Sequence, residues 1–374
     1  GSQMKANIRL KGDLSDHWRS SIRMSLRVEL KDDHSIKSFK RFSLHSPGSR
    51  QFPYDQIFQR LMQEIGNLSS SHSYVKVFVN GINWGVMNIE EHMSKELLEK
   101  QEVKESIIFK FGDEKKWFYN TVSKEPYTDY LLSDPRYYIN IYQKKKYLES
   151  PIARQRFSYI SEEYLKGELL KIIDVESYVR AALLASIWNS FHSLDNINTR
   201  HYLNPYNLKL NPITTDQGPF YPISPYENPL EKAEGFFRTA LLSEEGNLFF
   251  REKTSKDLLE SYKIKEIISY YSSFFPNDYP IDYSILTSNV ELLPKLGTSP
   301  DIGKDLEKLE FSKPQILPTQ QQVEEIQHHV YLRHYDDGKL AIFNLLPESI
   351  QLEAVYFKER RLDLDREELP SSRI

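Results

Sequence analysis

The chain has 374 residues, 39% hydrophobic and 27% charged, with a net charge of −4, which fits a soluble globular protein of two or three domains or lobes. It contains no cysteine, so disulfides and thiolate metal sites are excluded and any metal must be held by oxygen or imidazole. The near-balanced charge gives no argument for nucleic acid or an anionic membrane, and no run reaches the roughly 18 apolar residues of a membrane span.

No signal peptide is visible. The opening Gly-Ser reads as a cloning remnant, so a missing targeting segment decides nothing about location. Residues 7–45 read as β structure. Asn7–Leu10 is a short strand and Lys11–Trp18 a polar turn. Ile22, Met24, Leu26, Val28 and Leu30 then alternate with polar residues, which predicts a strand with one buried face. Phe39–Leu44 is a further strand, ended by Pro47-Gly48. The stripe Ile57, Leu61, Met62 and Ile65 predicts a helix over 53–65, stopped by Gly66-Asn67. Tyr74–Val79 and Trp84–Ile89 are strands joined by the tight-turn pair Asn80-Gly81. Glu90-Glu91-His92 follow, then a helix with Ser94 as its N-cap.

Residues 106–111 predict a short strand, and 113–150 a polar, Tyr-rich insertion without a period. Helices are expected over 154–171 and 174–190. Asp174 caps the second, whose Tyr178, Ala181, Ala182, Leu184, Ala185 and Trp188 form a buried surface. Two short strands lie between His192 and Asp216. Residues 221–235 read as a Pro-rich loop, 247–275 as helical and 276–300 as Pro-rich again. A helix near 319–329 leads to strands at 329–334, 339–345 and 350–357, and the charged tail from 358 reads as frayed.

Several groups of residues suit phosphate chemistry, each with a plainer reading beside it. The Lys11-Gly12 turn lets backbone N–H groups approach phosphates, or is an ordinary hairpin turn. Arg23 and Arg27, on the polar face of the next strand, supply fixed positive charge over a phosphate, or form a solvated face. Glu90, Glu91 and His92 stand where a strand passes into a helix, the place of a hinge whose backbone pairs with an adenine edge in a two-lobed enzyme, or of a plain loop. His192, Asp195 and Asn198 follow a buried helix: an Asp can orient or deprotonate a hydroxyl and an Asn oxygen suits Mg²⁺, or both serve local turns. Asp216 ends a short apolar strand before Gln217-Gly218, as a metal ligand or a turn residue. Their joint spacing between two short strands favours a site.

In three ordered blocks the sequence resembles the CotH kinases, atypical members of the protein kinase-like fold. The first block is Ile8–Asp13, Leu26–Lys31 and Lys40–Arg50. The second and most specific is Val77–Glu99. The third comprises His192, Leu194, Asn198, Arg200, Tyr202, Asn204-Pro205, Lys209-Leu210, Pro212-Ile213 and Asp216. The resemblance implies an α+β, two-lobed protein kinase-like fold. Its antiparallel-sheet N-lobe would take residues 1–92, its mostly helical C-lobe 93–300, and a β-rich extension 301–374.

The resemblance also implies ATP and Mg²⁺ (or Mn²⁺), and transfer to a protein side chain or other hydroxyl-bearing acceptor. By that similarity Asn198 and Asp216 are metal ligands, Glu90–His92 the hinge, and Lys11-Gly12 part of the phosphate-covering loop. The kinase catalytic Asp position, five before the Asn, is Ser193 here. Asp195 is therefore taken as the base, with His192 in reserve, and Arg23 or Arg27 replaces the usual ATP-binding lysine. A nucleotide-binding pseudokinase and an AMP transferase are the rival readings. The compartment and oligomeric state stay open in the sequence; the resemblance points to an extracytoplasmic or cell-envelope setting.

Overall fold

The structure is a computed structural model. It describes residues 3–12, 17–20, 22–32, 34–111, 139–195, 197–252, 261–274, 281–297, 330–334, 340–344, 350–357 and 360–369. Contacts divide the chain into two compact units, one drawn from 1–110, 140–164 and 168–310, the other from 111–139, 165–167 and 311–374. The fold is α+β with antiparallel sheets.

The first unit contains a five-stranded antiparallel sheet of β1 (Ala6–Leu10), β2 (Leu26–Leu30), β3 (Arg41–His45), β4 (His72–Val79) and β5 (Ile82–Glu91), in the order β1-β2-β3-β5-β4. Asn80 and Gly81 take positive φ of 49° and 80°. That turn matches the right-handed twist of the flanking strands and sets the register Val79↔Ile82. One face packs Val28, Leu30, Phe39, Phe42, Leu44, Trp84, Met87 and Ile89. The alternation over Ile22–Leu30 overstates β2. Arg23 is left-handed, φ 61°, so the extended run cannot include it, and Ile22 is exposed.

Helix α1 (Tyr54–Glu64) follows β3. It buries Ile57, Phe58, Leu61 and Met62 almost completely, each worth roughly 1.5–3 kcal/mol. Phe58 meets Trp188 edge to face at 5.3 Å. Trp188 ends the helix Val175–Trp188, which is buried on nearly every side. Asp174 caps that helix as expected, accepting from Ser177 N at 3.0 Å. Helix α2 (Lys95–Lys100) starts after Ser94 as expected, but Ser94 makes no side-chain cap bond. Leu97 and Leu98 of α2 pack with Met93, Ile108, Tyr202 and Ile213. The last three of these belong to a second sheet, ordered β7 (Ile139–Ile141), β6 (Ile108–Phe111), β8 (Arg200–Leu203), β9 (Leu210–Ile213).

Several expectations are corrected. Residues 139–148 include a strand and the helix Lys144–Leu148 rather than irregular chain; 112–138 lie outside the described residues. The helix expected over 154–171 is two, Pro151–Leu165 and Leu169–Ile172, parted at Gly167 with φ 77°. Helical structure resumes already at Gly235–Leu242. Residues 283–297 are helical despite Pro294, because Leu286, Asn289 and Leu293 repeat at helical spacing and are all buried. The expected helix near 319–329 lies outside the described residues.

In the second unit, Val330–His334 pairs with Leu340–Asn344 and Ile350–Phe357 with Arg360–Leu369. The tail is thus a strand rather than frayed chain; Leu362 and Leu364 alternate with charges at the strand period. Among the described residues no helix is long and apolar enough to cross a membrane.

Candidate functional site

Two loops after the buried helix form the lower half of the site. Asn189 adopts a left-handed conformation and ends the helix, with N–H groups returning to Ala185 and Ser186. A short turn over His192–Leu194 follows. The Asp195 carbonyl then accepts the N–H of both Asn198 and Thr199 at 2.8 Å, and this closes the loop. Asn198 Nδ2 donates to the His192 carbonyl at 2.9 Å and lies 3.2 Å from His192 Nε2.

Asp216 follows β9 and is itself left-handed, φ 63°. The turn that carries it is tied to the first loop at several points. Thr215 Oγ1 donates to the Asn198 carbonyl at 2.7 Å. Gln217 Nε2 donates to the Ser190 carbonyl at 2.8 Å, and Gln217 Oε1 accepts from Ser193 N. Arg200 Nη1 reaches both Thr215 Oγ1 and the Ile197 carbonyl. From α1, the buried Asp55 accepts Gln217 N at 2.9 Å and Gln59 Nε2 at 3.0 Å. Burial raises the Asp55 carboxyl above its usual range and the Asp216 charge adds to this, against the pull of His72, Arg50 and the Gln217 N–H.

The upper half is a chain of buried charges. Arg50 ends the turn Pro47–Arg50. Its Nη1 is 2.8 Å from Asp216 Oδ1 and its Nε 3.0 Å from Glu90 Oε2. Glu90 Oε2 is also 3.0 Å from His45 Nε2 and 3.7 Å from Lys11 Nζ. Burial would raise Glu90, but Arg50, Lys11 and His45 outweigh it and hold the carboxyl well below its ordinary value. Burial pulls Lys11 down to about 7 in spite of Glu90, and Arg50, Arg27 and Arg200 add to the fall. Arg27 is also depressed by burial, and its buried Nε has no hydrogen-bond partner among the described residues. Burial, Arg27 and Lys11 keep His92 well below its normal range.

The structure therefore gathers Lys11, Arg27, Glu90, His192, Asn198 and Asp216 and separates others from them. Arg23 is corrected. Its Nε donates to the Trp84 carbonyl, and it lies over Gly85, where a Cβ would collide with the guanidinium. Glu90 and Glu91 are not a free connector: they complete β5, opposite Ser43 and Phe42. The N–H groups of Glu91 and His92 are already given to Ser71 and Arg41, and the Glu91 side chain pairs with Lys100 at 2.9 Å. Gly12 has φ 104°, and a Cβ there would run into the His17 ring, so the turn requires glycine. Asp195 is exposed, and its Oδ1 accepts from Ile197 N at 3.3 Å.

Sequence reasoning gave no role to Arg50, Asp55 or Gln217, although Arg50 closes the first block of the resemblance and Gln217 follows Asp216. Asp55 carried a signal: it shares a face with Phe58, Gln59 and Met62 at helical spacing, so a carboxylate had to point inward.

Magnesium bound with a nucleotide takes one or two protein carboxylates, the rest of its shell coming from phosphate and water. Asp216 Oδ2 and Asn198 Oδ1 suit that role. Among the described residues no group of three His, Cys, Asp or Glu side chains could hold a metal by itself, so the donors fit a metal that arrives with its own oxygen ligands. The cations Lys11, Arg27 and Arg200 suit the phosphates. In comparisons with known proteins, the family model described as CotH kinase protein matches residues 8–213. Among curated proteins no match is found.

Proposed function

The chain belongs to the CotH kinase family, and from that premise we propose that it is an ATP-dependent phosphotransferase using Mg²⁺ or Mn²⁺. The acceptor is a protein side chain or another hydroxyl-bearing molecule, and the setting extracytoplasmic or at the cell envelope. In this reading residues 1–92 and 93–300 are the two lobes of a kinase-like fold, and 301–374 an extension.

The observation that carries the proposal is the excess of cations around Lys11. Arg50, Arg27 and Arg200 all act on Lys11, with Glu90, Asp216 and Asp55 as the carboxylates acting on Lys11 or Arg50, and Arg27 Nε has no hydrogen-bond partner among the described residues. Buried charges without counter-charge are costly, and a triphosphate supplies the missing negative charge.

Lys11 and Arg27 bind the phosphates, so Arg27 takes the position for which Arg23 was a rival. Asn198 and Asp216 would hold the metal, which when bound neutralises charge developing on the transferred phosphoryl group. Asp195, exposed at the loop end, orients the acceptor hydroxyl and takes its proton; His192, beside Asn198 and 3.9 Å from Asp216 Oδ2, is the alternative base. Catalysis is then mostly positioning and charge neutralisation.

Thermal unfolding with ATP, with and without Mg²⁺ or Mn²⁺, tests the reading on wild type and Asp216→Ala. A ligand at about 100 times its Kd adds roughly 2.7 kcal/mol to stability. A metal-dependent rise in Tm, lost in the variant, is expected; no rise with any metal overturns the nucleotide site. Mass spectrometry of a modified acceptor then separates phosphoryl from adenylyl transfer, and binding without any transfer would make the protein a scaffold.

A further inference from the structure

Arg50 belongs to neither loop and had no role assigned from the sequence, yet it joins the two halves of the site. Its side chain is 12% exposed and touches two carboxylates at once, Asp216 Oδ1 at 2.8 Å and Glu90 Oε2 at 3.0 Å. Burial would lower its pKa, but Glu90 and Asp216 outweigh this and raise it, so the group stays charged. The backbone beneath it is fixed. Ser49 Oγ donates to the Ser46 carbonyl at 2.9 Å, and Gln51, left-handed at φ 45°, caps the turn. Asp216 is also left-handed, so its backbone does not select a side-chain direction that any ordinary strand or helix would impose. The guanidinium supplies that direction. It occupies Oδ1, which leaves Oδ2 3.9 Å from His192 Nε2, the ring nitrogen that also meets the Asn198 amide.

We propose that Arg50 is a positioning residue for the metal ligand Asp216, bridging it to Glu90 so that one carboxylate oxygen is held and the other is left free on the His192 side. A planar fork with fixed donor directions can hold two carboxylates in one arrangement, which a lysine ammonium cannot. This inference rests on the nucleotide–metal reading above. It also makes a prediction whose sign is opposite to that of a bystander charge. A cation beside Asp216 repels a metal ion, so simple removal of that charge should tighten metal binding. Loss of a group that orients a metal ligand should weaken it, typically 10- to 100-fold.

The test is a Mn²⁺ titration by electron paramagnetic resonance, on the whole chain, with and without a non-hydrolysable ATP analogue. Wild type is compared with Arg50→Gln, which removes the charge, and Arg50→Lys, which keeps the charge and loses the fork. Melting curves establish that each variant is folded. Both are expected to bind Mn²⁺ about tenfold or more weakly than wild type. Mn²⁺ affinity in Arg50→Gln equal to or above wild type overturns the proposal while leaving the nucleotide reading intact. If Arg50→Gln does not fold, Arg50→Lys decides alone, and wild-type affinity in it overturns the proposal. Wild type that binds no Mn²⁺ in either condition overturns both.

Discussion

Lys11 has the most informative environment of any single residue in the site. Its amine faces Glu90 and His45, with Arg50, Arg27 and Arg200 as neighbouring cations. The free protein therefore holds it near a pKa of about 7, depressed from 10.5, mainly by burial. Phosphates at this amine favour the ammonium, so the bound state has the higher pKa. Nucleotide affinity is then full below about pH 7 and falls as pH rises through it, by up to tenfold per unit. Without ligand the sign reverses. Between about 7 and 10.5 the unfolded chain keeps the proton that the folded chain has lost, so the Lys11 contribution to stability grows with pH in that window. A fluorescent-nucleotide titration across this range should show the fall in wild type and a flatter profile in Lys11→Arg, which remains charged. A wild-type affinity with no slope would place the phosphates elsewhere.

Among the elements, α1 has a second role besides packing, because Asp55 in its first turn holds the Gln217 N–H of the loop that carries Asp216. Asp55→Ala leaves that N–H and the Gln59 amide without their acceptor in a buried place, at about 1–3 kcal/mol for an unmade bond. Asp55→Asn keeps an acceptor oxygen and should lose less. Urea unfolding of both checks the order, and an alanine variant as stable as wild type would remove the clamp from the account. Elements with a clear period were legible beforehand: α1, the Asn80-Gly81 hairpin, and the Asp174-capped helix. Tyr283–Gly297 was not, because Pro294 and the polar Asn289 mask a stripe that the burial of Leu286 and Leu293 makes plain. Asn198 and Asp216 were recognisable as a pair of oxygen donors, and the structure brings them to loops joined through Thr215. The roles of Arg50 and Asp55 were not, since they lie in partners 166 and 162 residues away along the chain, Asp216 and Gln217; the inward-facing position of Asp55 on α1 was the one local trace of them. Arg23 failed for a related reason: strand alternation placed it beside Arg27, and a single left-handed residue turned it away.

At the scale of the molecule, the net charge of −4 conceals a concentrated positive site. That site draws on Lys11, Arg27, Arg50, Glu90, Arg200 and Asp216, all within the first compact unit. Helix α1 and the segment that joins it to β4 bind the sheet to the helical part at several points besides the ligand groups. Tyr54 meets Phe220 edge to face at 5.2 Å, Asn67 Nδ2 donates to the Ser177 carbonyl at 2.8 Å, and Ser69 bridges to Thr214. A ligand that engages Lys11 and Asp216 together must therefore suppress opening on both sides of this seam, since each opening would break the site. Hydrogen exchange should slow with ATP and Mg²⁺ at Glu91, whose N–H is given to Ser71, and at Ser193, Asn198 and Gln217, whose N–H groups hold the two loops. Asp216→Ala should abolish the effect in both regions. Protection confined to β5 would mean that the nucleotide rests on the sheet alone, and the loops would then need a different ligand to explain why Asp216 is held so close to Arg50.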